Sequence, residues 1–383
     1  MKKLIIGFIA LIMLMPSGGL YAEEVTSLTD HAKSAVLVEV DTQEVLYNHN
    51  SHEKLPPASM TKLMTMLLIM EELNNGNLSL DENVRISEHA SSMGGTQIYL
   101  EPFEEMSVQD LLKGVTIASA NDASVALAER ISGSEKAFVE EMNKKVKELG
   151  LENTHFNNVT GLPTDNHYSS AYDMAMIGRE LLQYEEILDY TKVYEDYLRK
   201  GTDDEFWLVN TNKLVKFYQG VDGLKTGYTS EAKFCLTATA KRGDMRVISV
   251  VMGADTAKNR NQDISNMLDY AFSQYEIKRL YQDNQTVLEK SHPKAKGTIK
   301  VGPEESISLL MKKGDSMDDY ETVIEENDSI HWPVARGDQL GSVKLMKESN
   351  LIKEYPLVIT EEVEQASIWN LWKKSITSIH RGN

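Results

Sequence analysis

The sequence predicts a mixed α/β domain, a smaller β-rich domain after it, and an amphipathic helix at the C-terminus. Three observations carry this expectation. Strand-like runs flank a helical middle between about residues 34 and 273, so one sheet closes by bringing the first hairpin beside the last strands. After Lys278 the chain breaks into short alternating runs, 298–301, 307–311, 342–345 and 355–359, separated by Gly, Pro and Asp. On a 100° wheel Ile368, Trp369, Leu371, Trp372, Ile376 and Ile379 share one arc, with Asn370, Lys373, Lys374, Thr377 and His380 opposite. The expected units are 1–22, 23–278, 279–362 and 363–383.

In chain order, residues 1–22 read as a secretory signal: Lys2 and Lys3, an apolar run over 4–15, Pro16-Ser17-Gly18-Gly19, and a cut after Ala22. The apolar run is short for a membrane span. Residues 34–40 and 44–47 form a hairpin about Asp41-Thr42-Gln43. Pro57 opens a helix over 60–73, and Asn74-Asn75-Gly76 stops it. Because 63–70 is apolar almost all round, this helix is predicted to be buried. A helical region over 83–197 follows, clearest at 108–116, 122–131, 135–149 and 171–184. Strands return at 220–229, 234–240 and 246–252, ahead of a last helix over 260–273.

At 383 residues the chain is long enough for two domains. Its net charge of −18 argues against nucleic acid as a partner. Cys235 is the single cysteine, so no intramolecular disulfide forms. Export without disulfides fits a bacterial surface enzyme, and Cys235 itself reads as a core residue of a strand. The nine histidines show no ligand spacing, so neither a metal nor a cofactor is expected.

Chemistry concentrates at the start of the buried helix. Ser59 and Lys62 lie three residues apart and share a face, so the hydroxyl and the amine can meet. Burial lowers an ammonium pKa towards that of a useful base. The helix N-terminus also offers N–H groups to a developing anion. A helix-capping serine with a snorkelling lysine is the plainer alternative. Ser-x-x-Lys occurs four times, at Ser51/Lys54, Ser59/Lys62, Ser230/Lys233 and Ser291/Lys294, so spacing alone decides nothing. Two further motifs occur once each. Ser119-Ala120-Asn121 joins two helical runs, where it either points a hydroxyl and an amide into a cleft or caps the next helix. Lys225-Thr226-Gly227 lies on a strand, where glycine lets a substrate backbone approach closely. An edge strand with a protective lysine is the alternative there.

Together and in this order, the three motifs resemble the signature set of penicillin-binding proteins and serine β-lactamases. Ala58-Ser59-Met60-Thr61-Lys62, Ser119-Ala120-Asn121-Asp122-Ala123, Tyr168-Ser169-Ser170-Ala171 and 221–227 are similar to the low-molecular-weight D-alanyl-D-alanine carboxypeptidases. Their wording resembles most the sporulation-associated members from endospore-forming bacteria. The resemblance spans nearly the whole chain. It implies a serine β-lactamase/transpeptidase-like α/β (α+β) domain, an antiparallel sheet with helices on both faces plus a helical subdomain. It implies acyl transfer on a peptidoglycan stem peptide ending in D-Ala-D-Ala, and covalent inhibition by β-lactams. Ser59 would be nucleophile, Lys62 its base, Ser119 a proton relay to the leaving group, and Asn121 a holder of the substrate amide or of Lys62. Lys225 would keep Lys62 neutral and, with Thr226 and Arg260, bind the terminal carboxylate. Lys213 is a further basic candidate for that task. The oxyanion would lie between the N–H groups of Ser59 and Tyr228, beside Gly227. Two departures bear on the rate of β-lactam release. Tyr228 stands where many relatives have histidine, and Gly94-Gly95-Thr96 replaces a Gly-Ser-Ser stretch.

Other readings share the chemistry. A β-lactamase needs a water-activating group and no second domain. A penicillin-binding sensor usually carries transmembrane helices, and an endopeptidase cuts the same bond within a crosslink. The C-terminal helix is expected to lie in the outer face of the cytoplasmic membrane, which would make the enzyme extracytoplasmic and peripheral. Docking onto the protein's own surface is the alternative.

Overall fold

The computed structural model describes residues 27–327 and 330–366. The expected leader and the tail residues 368–380 lie outside the described residues.

Strand Ser34–Glu39 is buried along its whole length. Strands Lys233–Arg242 and Met245–Ala254 are buried through their middles, as continuous apolar runs demand of strands covered on both faces. They form the centre of a five-stranded sheet in the order Val45–His49, Ser34–Glu39, Met245–Ala254, Lys233–Arg242, Val221–Thr229. Every pairing is antiparallel. Helix Ala257–Gln274 covers one face, where Ile264, Met267, Leu268 and Ala271 meet Ala35, Leu37, Leu236 and Val251. Helices Lys62–Asn74 and Ala171–Leu181 cover the other face and belong to the larger core. The former is buried from Lys62 to Met70, which accounts for its lack of a polar face. The expected sheet, with helices on both sides, is present.

The middle of the chain is less helical than its sequence predicts. Asn83–Arg85 pairs with Glu105–Ser107, and Glu195–Leu198 with Phe206–Val209. The predicted helix over 108–116 runs as α-helix from Val108 to Lys113 and then widens into a π-turn, Gly114–Ala118. The turn ends at Ser119 in the left-handed region, φ 69°. Helix Asn121–Ser132 then starts in a new direction.

The second domain is a five-stranded antiparallel sheet, Leu288–Ser291, Thr298–Pro303, Asn350–Ile359, Gln339–Lys347 and Tyr320–Glu326. Beside it, Tyr275–Tyr281 pairs with Ile307–Lys312. The junction expected after Lys278 therefore falls inside a strand. This ladder bridges the two cores: Ile277 and Leu310 pack with the first sheet and its last helix, and Leu309 and Met311 with Leu345.

The two domains meet at the first hairpin. Asp41 Oδ2 accepts from Ser308 Oγ at 3.0 Å and from Arg279 at 3.2 Å. Lys353 Nζ donates to the Thr42 carbonyl at 3.2 Å. From inside, the buried Glu39 carboxyl accepts from Thr42 N at 2.7 Å and Thr42 Oγ1 at 2.8 Å. Burial raises the Glu39 pKa.

Candidate active site

Four segments converge on one amine. Ala58 takes a positive φ of 48°, and the 3-10 turn Ala58–Thr61 leads straight into the buried helix. Ser59 is thereby half-buried while Lys62 is fully buried. Lys62 Nζ lies 3.2 Å from Ser59 Oγ, 2.7 Å from Asn121 Oδ1 and 2.8 Å from the Thr160 carbonyl. Desolvation first, and the Lys225 charge second, hold its pKa well below the ordinary lysine value, against an opposing pull from Asp122.

Asn121 is fixed at three points. Its Oδ1 takes the Lys62 bond, its Nδ2 donates to the Gly94 carbonyl at 2.7 Å, and its N–H donates to the Thr96 carbonyl at 2.7 Å. A Cβ on Gly95 would stand 2.7 Å from Asn121 Nδ2, so this stretch needs glycine to close over the amide. Asp122 anchors the same loop by accepting from Ile98 N and Leu100 N, each at 3.1 Å to Oδ2. Ser119 is buried beside Asn121.

The loop carrying Thr160 is organised by Asn158, whose Oδ1 accepts from Thr160 N at 3.1 Å and Gly161 N at 2.7 Å. Gly161, φ 83°, lies so close to the nucleophile turn that a Cβ would fall 1.8 Å from the Ala58 carbonyl oxygen. His167 ties the same loop to the turn: its Nδ1 accepts from Asn157 N at 3.1 Å and its Nε2 lies 2.8 Å from Thr61 Oγ1. The accepting Nδ1 places the ring proton on Nε2, which donates to Thr61. Burial pushes the His167 pKa down to about 4.

Strand Val221–Thr229 forms the opposite wall. Gly227 packs on the turn, where a Cβ would meet the Pro57 carbonyl at 2.7 Å and Met60 N at 3.2 Å. Lys225 is buried, donates to the Thr226 carbonyl at 3.1 Å, and has its pKa lowered to about 7 by desolvation and then by Arg260. Arg260 is buried behind it and donates to the Cys235 carbonyl at 3.4 Å. Thr226 Oγ1 donates to Thr211 Oγ1 at 2.7 Å. The Tyr228 side chain turns outward, 55 % exposed, with its ring 4.4 Å from that of Phe234. Lys213 does not join Lys225. Asn212 Nδ2 is committed to the Gly223 carbonyl at 3.0 Å, and the chain then swings Lys213 over the Tyr194 ring at 5.1 Å.

Thus Ser59, Lys62 and Asn121 are brought together directly, with Ser119 next to Asn121. Lys225, Thr226, Gly227 and Arg260 line the facing wall. The Thr160 carbonyl, Gly161, His167 and Thr211 were not singled out from sequence. A turn signal at Asn158-x-x-Gly161 was available for two of them.

Known proteins resemble the chain in both of its domains. Residues 22–256 match the family described as D-alanyl-D-alanine carboxypeptidase. Residues 275–365 match the C-terminal domain of penicillin-binding protein 5. The chain is 56 % identical over 352 residues to D-alanyl-D-alanine carboxypeptidase DacF of Bacillus subtilis, covering 92 % of this chain and 90 % of that one. Penicillin-binding protein 5 of Haemophilus influenzae superimposes with a TM-score of 0.73 at 31 % identity, over 87 % of this chain and 97 % of the other. The ampicillin-bound form of penicillin-binding protein D2 from Listeria monocytogenes gives 0.57 at 34 % identity, over 63 % and 97 %. With the three motifs assembled around one buried amine and both domains matched, the chain belongs to the D-alanyl-D-alanine carboxypeptidase family of low-molecular-weight penicillin-binding proteins.

Proposed function

We propose that this carboxypeptidase removes the terminal D-alanine of stem pentapeptides through an ester on Ser59, with Lys62 as base. The observation that carries the reading is the hydrogen bonding of Lys62. A neutral amine has two N–H groups and one lone pair. As an ammonium Lys62 donates to Asn121 Oδ1, the Thr160 carbonyl and, at 3.2 Å, Ser59 Oγ; once it loses a proton, the first two acceptors hold its remaining N–H groups and its lone pair is left to Ser59 Oγ. Ser59 Oγ attacks the carbonyl of the penultimate D-alanine as its proton passes to Lys62. The tetrahedral oxyanion takes N–H bonds from Ser59 and Tyr228. The C–N bond then breaks, and the departing amine receives its proton through Ser119. Lys225 and Thr226 hold the terminal carboxylate, with Thr211 and Arg260 behind them. Water cleaves the ester and frees Ser59. A β-lactam follows the same first step, but its opened ring stays attached, so the leaving amine cannot diffuse away and the ester persists.

A β-lactamase reading would need a carboxylate free to activate water. Asp122, whose charge acts on Lys62, accepts from Ile98 N, Leu100 N and Ala123 N, so its oxygens are occupied. Intact mass after penicillin treatment, followed by D-alanine release from diacetyl-Lys-D-Ala-D-Ala, tests the assignment. One adduct on Ser59 with D-alanine release is expected. Labelling of Ser59→Ala, or rapid loss of the adduct with antibiotic hydrolysis, would overturn it.

We further propose that the tail residues 368–380 hold the exported enzyme on the outer face of the membrane. The two-sided wheel with Trp369 and Trp372 supports this, and among the described residues no helix is long and apolar enough to cross a membrane. Co-sedimentation with anionic vesicles, lost on truncation after Ala366, is the expected result. Equal sedimentation of both forms would refute it.

A further inference from the structure

A buried threonine one turn beyond Lys62 has no part in the chemistry above. Thr65 lies inside the helix Lys62–Asn74 and is fully buried. A hydroxyl in an apolar core must find a partner, and in a helix the nearest one is the carbonyl four residues back. Two other buried hydroxyls of this chain take that local partner. Thr116 Oγ1 donates to the Leu112 carbonyl at 2.8 Å, and Ser124 Oγ to the Ala120 carbonyl at 2.6 Å. Thr65 does not: its Oγ1 donates to the Val159 carbonyl at 2.7 Å, across 94 residues of sequence.

That carbonyl is the neighbour of the one that holds the base. The Val159 C=O and the Thr160 N–H belong to a single planar peptide unit. The unit is pinned at both ends, its carbonyl by Thr65 and its N–H by Asn158 Oδ1 at 3.1 Å. The next unit carries the Thr160 carbonyl, 2.8 Å from Lys62 Nζ, and the Gly161 N–H, which donates to the same Asn158 Oδ1 at 2.7 Å. With the first unit fixed, only the two dihedrals of Thr160 set the direction of the second. The bonds of Asn158, including that from its Nδ2 to the Leu162 carbonyl at 2.9 Å, stay inside the loop. They shape the turn without locating it on the helix. Lys62 and Thr65 are three residues apart and share a face, so one helix face takes two consecutive carbonyls of the loop. We propose that Thr65 is a positioning residue for the base: by holding Val159 it aims the Thr160 carbonyl at Lys62 and so fixes the direction left to the lone pair. The proposal rests on the reading of Lys62 as base, and Thr65 acts on that base through the loop.

The test is the pH dependence of acylation by a fluorescent penicillin, followed by stopped flow with the purified full chain and with thermal unfolding alongside. Thr65→Val keeps the shape and removes the donor. The acylation rate constant at saturating penicillin is expected to fall about ten-fold, while the dissociation constant of the preceding complex stays within about two-fold. The acid limb should also move to lower pH, because a carbonyl acceptor favours the ammonium and its retreat favours the amine. The charged groups that act on Lys62 are Lys225 and Asp122, and the substitution alters neither. His167 on the same loop is neutral down to about pH 4. Thr65→Ser returns the hydroxyl and should restore both the rate and the limb. A rate loss with the limb unmoved or raised, or one that Thr65→Ser fails to restore, would make Thr65 a structural residue only. An unchanged rate in Thr65→Val would remove the role altogether; each of these overturns the proposal. If the wild-type chain formed no adduct on Ser59, the reading of Lys62 as base would itself fall.

Discussion

Replacing Gly161 with alanine tests whether the Thr160 carbonyl sets the geometry of the base. The new Cβ would lie 1.8 Å from the Ala58 carbonyl oxygen, 2.3 Å from its carbon and 2.9 Å from Ser59 N. All three are backbone atoms, so no side chain can swing away. Restoring an ordinary contact of about 3.2 Å moves the loop back by roughly 1.4 Å. Thr160 O, now 2.8 Å from Lys62 Nζ, would then lie about 4 Å away and no longer accept a hydrogen bond. The amine would lose one of its two acceptors and its lone pair would no longer be aimed at Ser59. A misplacement of about 1 Å near reacting atoms costs about 10²-fold in rate, so a loss of that order is expected in the acylation rate constant. The left-handed φ of 83° adds roughly 1–2 kcal/mol of destabilisation. Stopped-flow acylation by a fluorescent penicillin, with thermal unfolding alongside, reads both effects. Gly76→Ala is the control, since φ there is 72° with nothing within 4 Å; it should show the strain without the rate loss. Acylation of Gly161→Ala within about three-fold of wild type would refute the role given to Thr160.

The acid limb of acylation should report protonation of Lys62, which is active only as the neutral amine. Lys225→Met removes a like charge that lowers its pKa, so the limb should move to higher pH; an unmoved limb would exclude the coupling. Burial lowers the His167 pKa from the ordinary 6.5 to about 4 in the folded state, so the folded state binds fewer protons in that window. Its contribution is complete above pH 6.5 and is lost as pH falls towards 4, by at most about 3 kcal/mol. His167→Gln should flatten the stability profile there, and an unchanged urea midpoint profile would count against the buried neutral ring. Thr42→Val deletes a hydroxyl bonded to the buried Glu39 carboxyl and should cost about 1–3 kcal/mol in chemical denaturation. Acylation should be unaffected, and a parallel loss of acylation would show that the hairpin reaches the site.

What could be read from sequence, and what could not, divides by sequence separation. Ser59 and Lys62 are one helical turn apart, so the helix period brings them together without help from the fold. The strands at 234–240 and 246–252 declare themselves as largely apolar runs, because a strand buried on both faces has little polar side to blur it, whereas 220–229 is legible from its glycines and its Lys-Thr-Gly. The Thr160 carbonyl is 98 residues from Lys62 and belongs to the main chain, so no residue type marks it. Thr61 and His167 are 106 apart, and either alone looks like an ordinary core polar group. Of the hairpin pairing Glu195–Leu198 with Phe206–Val209, the first strand overlaps the end of the expected helical region over 83–197 and the second lies beyond it, each too short at four residues to show a period. The junction expected after 278 divides the strand at 275–281, because its first residues follow the preceding helix without a break and only the pairing with Ile307–Lys312 reveals the strand.

The wall that carries Lys225 is the last strand of its sheet, with Lys233–Arg242 as its one sheet neighbour. Its other margin pairs with no strand among the described residues; the Gly223 carbonyl there is taken by Asn212, and beyond it an edge of this kind is one to which an extended peptide adds as if it were a sixth strand. Recognition of that kind reads the path of a backbone and ignores its side chains, so a cell could vary the middle residues of its wall peptides without losing this enzyme. Discrimination is pushed to the chain end, where a carboxylate and a small D-residue must fit. Any rigid molecule that mimics a short extended backbone with a reactive carbonyl and a terminal carboxylate inherits the same welcome. Susceptibility to such inhibitors is then a property of the sheet's open margin as much as of the serine beside it.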